Sequence, residues 1–415
     1  MSVGIESINV YAGQTKLDAK TLFQARNLDM SRFDNLMMVN KTVCLPCEDP
    51  VTYGVNAAKP IIDSLNEEER KRIELIITST ESGLDFGKSL STYIHHYLGL
   101  SRQCRLFEVK QACYGGTAAL QMAANFVVSQ ASPGAKALVI STDVLRAAAG
   151  TMESMAYAEP AAGVGSVAML VSQKPDILEL DFGANGYHSY EVMDTCRPDV
   201  GVETGDADLS LLSYLDCLEE SFKAYSEKVE GIDVQTTFDY LAFHTPFAGM
   251  VKGAHRNLMR KYKQLPTDSI QADFDQRVMP SLAYCMEVGN IFSGTVYLAL
   301  SSLIDNAQIS SPKRVGIYSY GSGCSSEFYS GVITQNSQQK LAKMAIRNQL
   351  ANRYNLNIEE YDHLLKENTR WLFGIKDAIV DRSSWAHIYE KQLVGKGLLT
   401  LVKASSNYHR EYEWS

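Results

Sequence analysis

Long apolar runs are absent from the sequence, and no stretch is long enough to cross a membrane as a helix. The first residues also lack a basic segment followed by an apolar core, so we expect no secretory signal and a cytoplasmic location. An excess of basic residues is missing as well, because the formal net charge is −9. Nucleic-acid binders are usually basic overall, so we expect neither a nucleic-acid nor a membrane partner.

Metal-binding patterns are scarce too. Among the eight cysteines, only Cys44 and Cys47 form a CxxC pair, and no second pair or histidine cluster accompanies it. Free thiols in a reducing cytoplasm explain this spacing better than a zinc site does. We therefore expect no metal ion in this protein.

The composition is that of an ordinary globular enzyme, with 45% apolar and 21% charged residues in a chain of 415. This length suits two core units of similar size or one large α/β body. Strand and helix patterns alternate through the first part of the chain, and the alternation restarts at Ile177, which predicts doubly wound α/β sheets. We expect one unit over residues 1–173 and a second over 174–415.

Cys113 occupies the chemically strongest stretch of the sequence. A strand predicted over 105–109 and a buried helix predicted over 120–128 place this thiol at a strand-to-helix corner, before two glycines. The positive end of a helix dipole favours a thiolate over a thiol, and glycines let N–H groups approach an oxyanion. A buried structural cysteine is the alternative, and this stretch alone does not separate the two.

Two other candidates for proton transfer also lie at predicted strand ends. Glu81 follows a buried strand over 73–80, and His244 ends a strand that begins at Tyr240. Taken singly, a solvated glutamate and a satisfied core histidine remain open alternatives. A duplicated doubly wound fold brings such strand ends to one face, so we expect Glu81, Cys113 and His244 to share a pocket.

A basic stripe follows the histidine along the next predicted helix. Its members recur at helical spacing and are Lys252, Arg256, Arg260 and Lys263. The stripe is either a solvated helix face or a docking surface for an acidic partner.

Five motifs in order resemble the motif set of the 3-hydroxy-3-methylglutaryl-CoA synthases. They are Glu81-Ser-Gly, Gln111-Ala-Cys113-Tyr, Phe243-His244-Thr-Pro-Phe, Gly289-Asn290-Ile-Phe-Ser-Gly and Ser319-Tyr320-Gly-Ser322-Gly. The resemblance implies a thiolase-like α/β fold, with two duplicated αβαβα halves in five layers, and usually a homodimer. Glu81 and Cys113 then fall in the first half, and His244, Asn290 and Ser322 in the second. No bound cofactor is implied.

The resemblance also implies an acyltransferase mechanism. Cys113 would accept an acetyl group from a thioester, and Glu81 would remove a proton from its methyl group. The resulting carbon nucleophile would attack the β-ketone of an acetoacetyl thioester, and His244 would protonate the new alkoxide. Substrate-binding roles are implied for Asn290, Ser322, Tyr320 and Asp194. We expect Lys252 of the basic stripe to bind substrate as well.

Two departures bear on the carrier of the acyl groups. Mevalonate-pathway members usually have lysine five residues after the catalytic histidine, where this chain has Gly249, and their Gly-Ile-Gly-Gln element is absent. The chain looks more like the synthases of polyketide β-branching cassettes, which act on phosphopantetheine thioesters of acyl carrier proteins. Because carrier proteins are acidic, we expect docking at Arg32, Arg256 and Arg260.

Three other functions fit parts of the same sequence pattern. A mevalonate-pathway synthase would use the same site with free coenzyme A thioesters. A ketoacyl synthase would use Cys, His and Asn but no glutamate, and a noncatalytic scaffold would hold carrier proteins without chemistry. The intact set of Glu81, Cys113 and His244 disfavours the scaffold.

Overall fold

The structure is a computed structural model that describes residues 2–144, 158–199, 202–371 and 373–415. Its strands are β1 (Gly4–Tyr11), β2 (Thr15–Asp18), β3 (Asn40–Val43), β4 (Ile73–Ser79), β5 (Arg105–Val109), β6 (Lys136–Asp143), β7 (Gly165–Ser172), β8 (Leu178–Ser189), β9 (Thr195–Asp199), β10 (Val202–Gly205), β11 (Tyr240–Phe243), β12 (Lys313–Gly321), β13 (Ser325–Ile333), β14 (Tyr354–Asn355), β15 (Ala378–Ile379), β16 (Leu399–Ala404) and β17 (Arg410–Trp414).

The helices connect and cover these strands. They are α1 (Ala19–Ala25), α2 (Phe33–Leu36), α3 (Pro50–Asp63), α4 (Glu67–Lys71), α5 (Leu90–Tyr97), α6 (Gly115–Ser129), α7 (Ala158–Ala161), α8 (Ala207–Lys228), α9 (Ala248–Lys263), α10 (Thr267–Arg277), α11 (Met279–Val288), α12 (Thr295–Asn306), α13 (Gln335–Ala342), α14 (Ile346–Ala351), α15 (Ile358–Asn368) and α16 (Ala386–Gln392). Short 3-10 turns cover Met30–Arg32, Phe292–Gly294, Thr369–Trp371 and Ser383–Trp385.

One pattern of strand pairing occurs twice in the central sheet. Its strand order is β11-β12-β13-β8-β1-β7-β6-β4-β5. From β1 outwards, the pairs with β7 and then β6 are antiparallel, and the pair of β6 with β4 is parallel. From β8 outwards, the pairs with β13 and then β12 are antiparallel, and the pair of β12 with β11 is parallel. The chain therefore builds a similar half-sheet on each side of the β1–β8 contact.

Two buried helices fill the space between the half-sheets. Helix α12 is buried all round over its first ten residues, and most of these residues are apolar, as is typical of a helix in a protein interior. It shares one core with the Ala-rich face of α6 and with residues of β1, β4, β6, β12 and β13. A hydrogen bond of 2.9 Å between Thr117 Oγ1 and Tyr297 OH joins the two helices.

Other helices cover the outer faces of the same strands. Alternate residues of β4 and β6 pack outwards against α3 and α5. On the other side, α8 and α9 pack on β11, β12 and β13. The sequence of helix, sheet, central helices, sheet and helix makes five layers.

Helix α6 begins earlier than the sequence pattern predicts. Gly115 and Gly116 form its first turn, whereas the pattern predicts a helix from Leu120. A Cβ at Gly116 would lie 2.2 Å from the backbone oxygen of Ser293, and one at Gly115 would lie 2.4 Å from Ser79 Oγ. The glycines therefore let α6 approach two other segments closely. The helices of the described ranges include none that is long and apolar enough to span a bilayer.

Candidate active site

The thiol of Cys113 touches the carboxylate of Glu81. Cys113 lies between the end of β5 and the first turn of α6, and its Sγ is 3.1 Å from Glu81 Oε1. The preceding residue, Ala112, has a left-handed φ of 43°, a conformation that L residues rarely adopt. This turn aims the thiol towards the end of β4, where Glu81 follows.

A buried aspartate holds the turn that carries Glu81. Asp143, the last residue of β6, accepts hydrogen bonds at Oδ1 from Glu81 N (2.6 Å) and Thr80 Oγ1 (3.0 Å). Its Oδ2 accepts from Ser293 N (3.1 Å) and Ser293 Oγ (2.6 Å). Burial raises the pKa of Asp143, and the hydrogen bonds from these donors oppose that rise. One carboxylate thus ties the Glu81 turn to the turn before α12.

Arg197 approaches Glu81 from strand β9. Its Nη1 donates to the backbone oxygen of Glu81 at 2.8 Å, and its Nη2 lies 4.0 Å from Glu81 Oε2. Its guanidinium carbon is 6.0 Å from the centre of the Phe292 ring. The arginine belongs to the segment that contains Asp194, but sequence reasoning singled out only the aspartate.

The glycine-rich turn after β12 packs on the Cys113 corner. A Cβ at Gly321 would lie 2.5 Å from the backbone nitrogen of Tyr114 and 2.7 Å from the backbone oxygen of Gln111. The turn therefore needs glycine to approach the residues that flank Cys113.

Hydrogen bonds hold this turn from the side of β9. Tyr320 OH donates to Asp194 Oδ2 at 2.6 Å, and Gly323 N donates to Oδ1 of the same aspartate at 2.9 Å. Thr195 Oγ1 donates to Ser322 Oγ at 3.0 Å. The structure thus brings Asp194, Tyr320 and Ser322 together.

His244 lies at the same end of the sheet as that turn. It follows β11, whose Phe243 pairs with Tyr318 of β12, and its backbone N donates to Tyr318 O at 2.8 Å. Tyr214 OH donates to the His244 backbone oxygen at 2.7 Å. The imidazole is buried, and burial lowers its pKa to about 3 because it disfavours the imidazolium ion. Within the described ranges, His244 Nδ1 has no hydrogen-bond partner, so it can bind a substrate group.

The side chain of Asn290 is oriented by its own turn. Its Oδ1 accepts from Phe292 N at 2.9 Å and from Thr295 Oγ1 at 2.7 Å. Its backbone bonds Ala161 and Gly163 on either side of β-bridge partner Ala162. With the amide oxygen occupied in this way, the amide nitrogen is the group that can donate to a ligand.

The basic residues predicted at the surface lie on two helical segments. Arg32 is exposed at the end of the 3-10 turn before α2, and Arg256 and Arg260 are exposed on α9. Lys252 is also exposed on α9, with its Nζ 5.8 Å from the centre of the Phe274 ring, and its substrate-binding role stays a prediction. Lys263 pairs with Asp233 at 2.5 Å.

Glu327 is a further buried carboxyl group near the corner, and no sequence pattern marks it. Tyr114 OH donates to its Oε2 and Gln121 Nε2 to its Oε1, both at 2.8 Å. Burial raises the pKa of Glu327 to about 7. Glu327 thus holds Tyr114, which follows Cys113, and Gln121 of α6.

Over the part of the chain that the structure describes, no cluster of three or more His, Cys, Asp or Glu side chains could hold a metal ion.

Family models match nearly the whole chain. The model described as hydroxymethylglutaryl-coenzyme A synthase N terminal matches residues 1–176. The one described as hydroxymethylglutaryl-coenzyme A synthase C terminal matches residues 178–273 and 260–413. The chain belongs to the hydroxymethylglutaryl-CoA synthase family.

Individual relatives cover most or all of this family member. The polyketide biosynthesis 3-hydroxy-3-methylglutaryl-ACP synthase PksG of Bacillus subtilis (strain 168) is 53% identical, over 100% of this chain and 99% of its own length. The hydroxymethylglutaryl-CoA synthase of Enterococcus faecalis is 32% identical over 88% of this chain and 92% of its own.

A solved structure shows the same fold. The crystal structure of the curacin biosynthetic pathway HMG synthase in complex with acetyl donor-ACP has a TM-score of 0.97, with 55% identity and both chains fully covered. The predicted family and thiolase-like α/β fold are confirmed, and the chain is a condensing acyltransferase of the hydroxymethylglutaryl synthase type.

Proposed function

We propose that this synthase condenses the acetyl group of an acetyl-acyl carrier protein with the β-ketone of an acetoacetyl or other β-ketoacyl carrier protein, for β-branching in polyketide biosynthesis. The observation that carries the proposal is the 3.1 Å contact between Cys113 Sγ and Glu81 Oε1, beside the donors of two neighbouring turns. This contact supplies a nucleophile and a base for one two-carbon unit.

The first step is acetyl transfer to Cys113. The thiol gives its proton to Glu81, and its sulfur attacks the carbonyl carbon of the acetyl thioester. The bond from that carbon to the pantetheine sulfur breaks, and the leaving sulfur takes the proton from Glu81. The positive end of α6 stabilises the thiolate and the developing oxyanion. Glu81 is left as a carboxylate.

The second step makes the carbon–carbon bond. Glu81 removes a proton from the methyl group of acetyl-Cys113, since that methyl is held within reach of the atom that contacted the thiol. The resulting enolate carbon attacks the β-ketone of the acceptor. Burial keeps His244 neutral, so its ring N–H donates a hydrogen bond to the ketone oxygen. As the new bond forms, this N–H gives its proton to that oxygen while the other ring nitrogen takes up a proton from water, so the imidazole stays neutral, and Glu81 returns the methyl proton to water. Water finally hydrolyses the Cys113 thioester.

The substrate-binding roles follow from the donors around this pair. The amide nitrogen of Asn290 orients an acceptor carbonyl, and the hydroxyl of Ser322 orients the thioester, because both groups are positioned by bonds to neighbouring side chains. Asp194 and Tyr320 support Ser322 through their mutual bond of 2.6 Å. Lys252, which is exposed on α9, remains our candidate for binding the part of the carrier-linked substrate that lies nearest the protein surface.

Carrier-protein substrates are favoured over free coenzyme A by similarity and by charge. Identity is 53% to a relative named as an HMG-ACP synthase and 25 to 32% to relatives named as hydroxymethylglutaryl-CoA synthases. Acidic carrier proteins would dock on Arg32, Arg256 and Arg260, which are exposed. Phosphopantetheine would then carry both acyl groups, and no cofactor bound to the enzyme is required.

Competition between two acetyl donors tests this function. The enzyme is mixed with equal concentrations of acetyl-CoA and of acetylated donor carrier protein from the curacin pathway, and acetyl-Cys113 is followed by peptide mass spectrometry. We expect faster acetylation by the carrier protein, followed by condensation when an acetoacetyl carrier protein is added. Preference for acetyl-CoA would instead support the alternative, a mevalonate-pathway synthase.

Two structural expectations remain part of the proposal. The halves 1–173 and 174–415 are supported by the repeated strand pairing and by family models that meet at residues 176 and 178. A homodimer is supported by β5, an edge strand with half-buried apolar residues that a second copy could cover. A cytoplasmic location stays a prediction.

A further inference from the structure

Helix α2 approaches the first turn of α9 more closely than any side chain would allow. A Cβ at Gly249 would lie 1.7 Å from the backbone oxygen of Asn35 and 2.9 Å from its carbonyl carbon. Contacts of a Cβ under 3.0 Å essentially never occur, so residues 33–36 would have to move. Gly249 has ordinary helical backbone and glycine is a poor helix former, so packing is the reason for glycine here.

The same helix contains a second glycine without this constraint. Gly253 lies one turn later on α9, and a Cβ there would meet nothing within 4 Å. The close approach is therefore a property of position 249 and not of the helix as a whole.

Apolar packing holds α2 in this position. Leu36 is buried in a small cluster with Ala19, Phe23 and Met38, and Phe247 at the start of α9 packs against that cluster. Met37 contributes to the larger core that includes α9. The segment thus has two attachments to α9, the backbone contact at Gly249 and the apolar contact at Phe247.

The packing of α2 on α9 determines where Arg32 lies relative to the arginines of α9. Arg256 and Arg260 follow Gly249 by seven and eleven residues, which are two and three helical turns, so they lie on its face about 10 and 16 Å along the axis. Arg32 directly precedes α2, whose Asn35 covers Gly249. Closure of α2 therefore sets Arg32 at the N-terminal end of the arginine face.

We propose that Gly249 is a specificity-determining residue. Its missing side chain lets residues 33–36 close onto α9 and so joins Arg32 to the Arg256 and Arg260 face as one docking surface for an acidic acetyl carrier protein. This inference rests on the proposed function. A side chain at position 249 displaces α2 and divides the surface, while the contact between Cys113 and Glu81 is left in place.

Matched alanine variants test the proposal. Gly249→Ala and Gly253→Ala add the same methyl group to the same helix, one against Asn35 and one into open space. The KM for acetylation of Cys113 is measured with two donors, the acetylated donor carrier protein of the curacin pathway and S-acetyl-pantetheine, which has no protein surface. We expect Gly249→Ala to raise the KM for the carrier protein about tenfold or more and to leave acetylation by S-acetyl-pantetheine unchanged. Gly253→Ala should match the wild type with both donors.

Each other outcome has a definite meaning. An unchanged KM in Gly249→Ala, or an equal loss with both donors, would overturn the role of Gly249. Should that variant fail to fold, Leu36→Ala loosens α2 without changing α9, and a selective rise in the carrier-protein KM supports the proposal while an unselective one refutes it. A wild-type enzyme that carrier protein does not acetylate would overturn the proposed function itself, before any variant is compared.

Discussion

Replacement of Asp143 by asparagine should disturb the active site, although Asp143 itself does not react in the proposed mechanism. The carboxylate accepts five hydrogen bonds, from Thr80 Oγ1, Glu81 N and Ser82 Oγ at one oxygen and from Ser293 N and Oγ at the other. Asparagine keeps only one of these oxygens. The NH2 group of asparagine must take the place of either Oδ1 or Oδ2. At least two hydrogen bonds to Asp143 are then lost, and the NH2 group faces their donors.

The size of the effect follows from the kind of bond lost. A hydrogen bond to a charged group contributes roughly 1.5–3 kcal/mol, so losing two lowers the free energy of unfolding by about 3–6 kcal/mol. The turn that carries Glu81 also loses its support, and a misplacement of about 1 Å can slow a reaction on the order of 100-fold. We expect condensation to slow by at least that factor.

Two measurements separate these effects. Urea unfolding gives the stability, and mass spectrometry of acetyl-Cys113 separates acetylation from condensation. Ser293→Ala is the graded control, because it removes one donor hydroxyl but leaves the carboxylate and the Ser293 N–H, so it should lower stability by only about 1.5–3 kcal/mol. An Asp143→Asn enzyme within about 0.5 kcal/mol of the wild type, or one that condenses normally, would refute the positioning role.

Three further perturbations follow from the site. Glu81→Gln should slow acetylation of Cys113, because the amide cannot take the thiol proton, and should reduce condensation of the acetyl-Cys113 that does form to background, because the amide cannot take the methyl proton. Normal condensation would point to a ketoacyl synthase mechanism. Arg260→Glu should raise the KM for acetylated carrier protein with the melting temperature unchanged, and an unchanged KM would remove Arg260 from the docking surface. Burial raises the pKa of Glu327 from the ordinary 4.5 to about 7 in the folded protein. Its neutral form therefore stabilises the fold below pH 4.5, and that stability is lost as the pH rises through 7. The loss is roughly 3 kcal/mol, and Glu327→Gln should flatten this part of a urea-unfolding pH profile; an equally steep profile would contradict the shift.

Local signals explain which parts of the fold could be predicted from the sequence. The Asp49–Pro50 start of α3 was predictable because the cap and the proline act within one turn, and Asp49 accepts from the N–H groups of Val51 and Thr52. The start of α6 was not predictable, because the pair Gly115 and Gly116 is also typical of a loop. Only the structure shows that Ser79 and Ser293 pack closely against these glycines. Those contacts come from distant parts of the chain.

The same distinction runs through the candidate site. Glu81, Cys113 and His244 stand at strand ends, where a sequence pattern can find them, but Arg197 and Glu327 are recognised only by long-range contacts. Family resemblance assigned roles to the first three and to Asn290, Ser322, Tyr320 and Asp194, but it did not mark Arg197 or Glu327.

Asp143 shows why a strand end alone does not identify a reacting group. It ends β6 as Glu81 follows β4, and the two strands are parallel neighbours, so the sequence offers two carboxylates in equivalent places. Burial separates them: five donors saturate Asp143, which is fully buried, while the side chain of Glu81 keeps 19% of its surface exposed. A carboxylate whose lone pairs are all engaged cannot accept a substrate proton without losing those bonds. We therefore propose Glu81 as the base and Asp143 as the group that positions it.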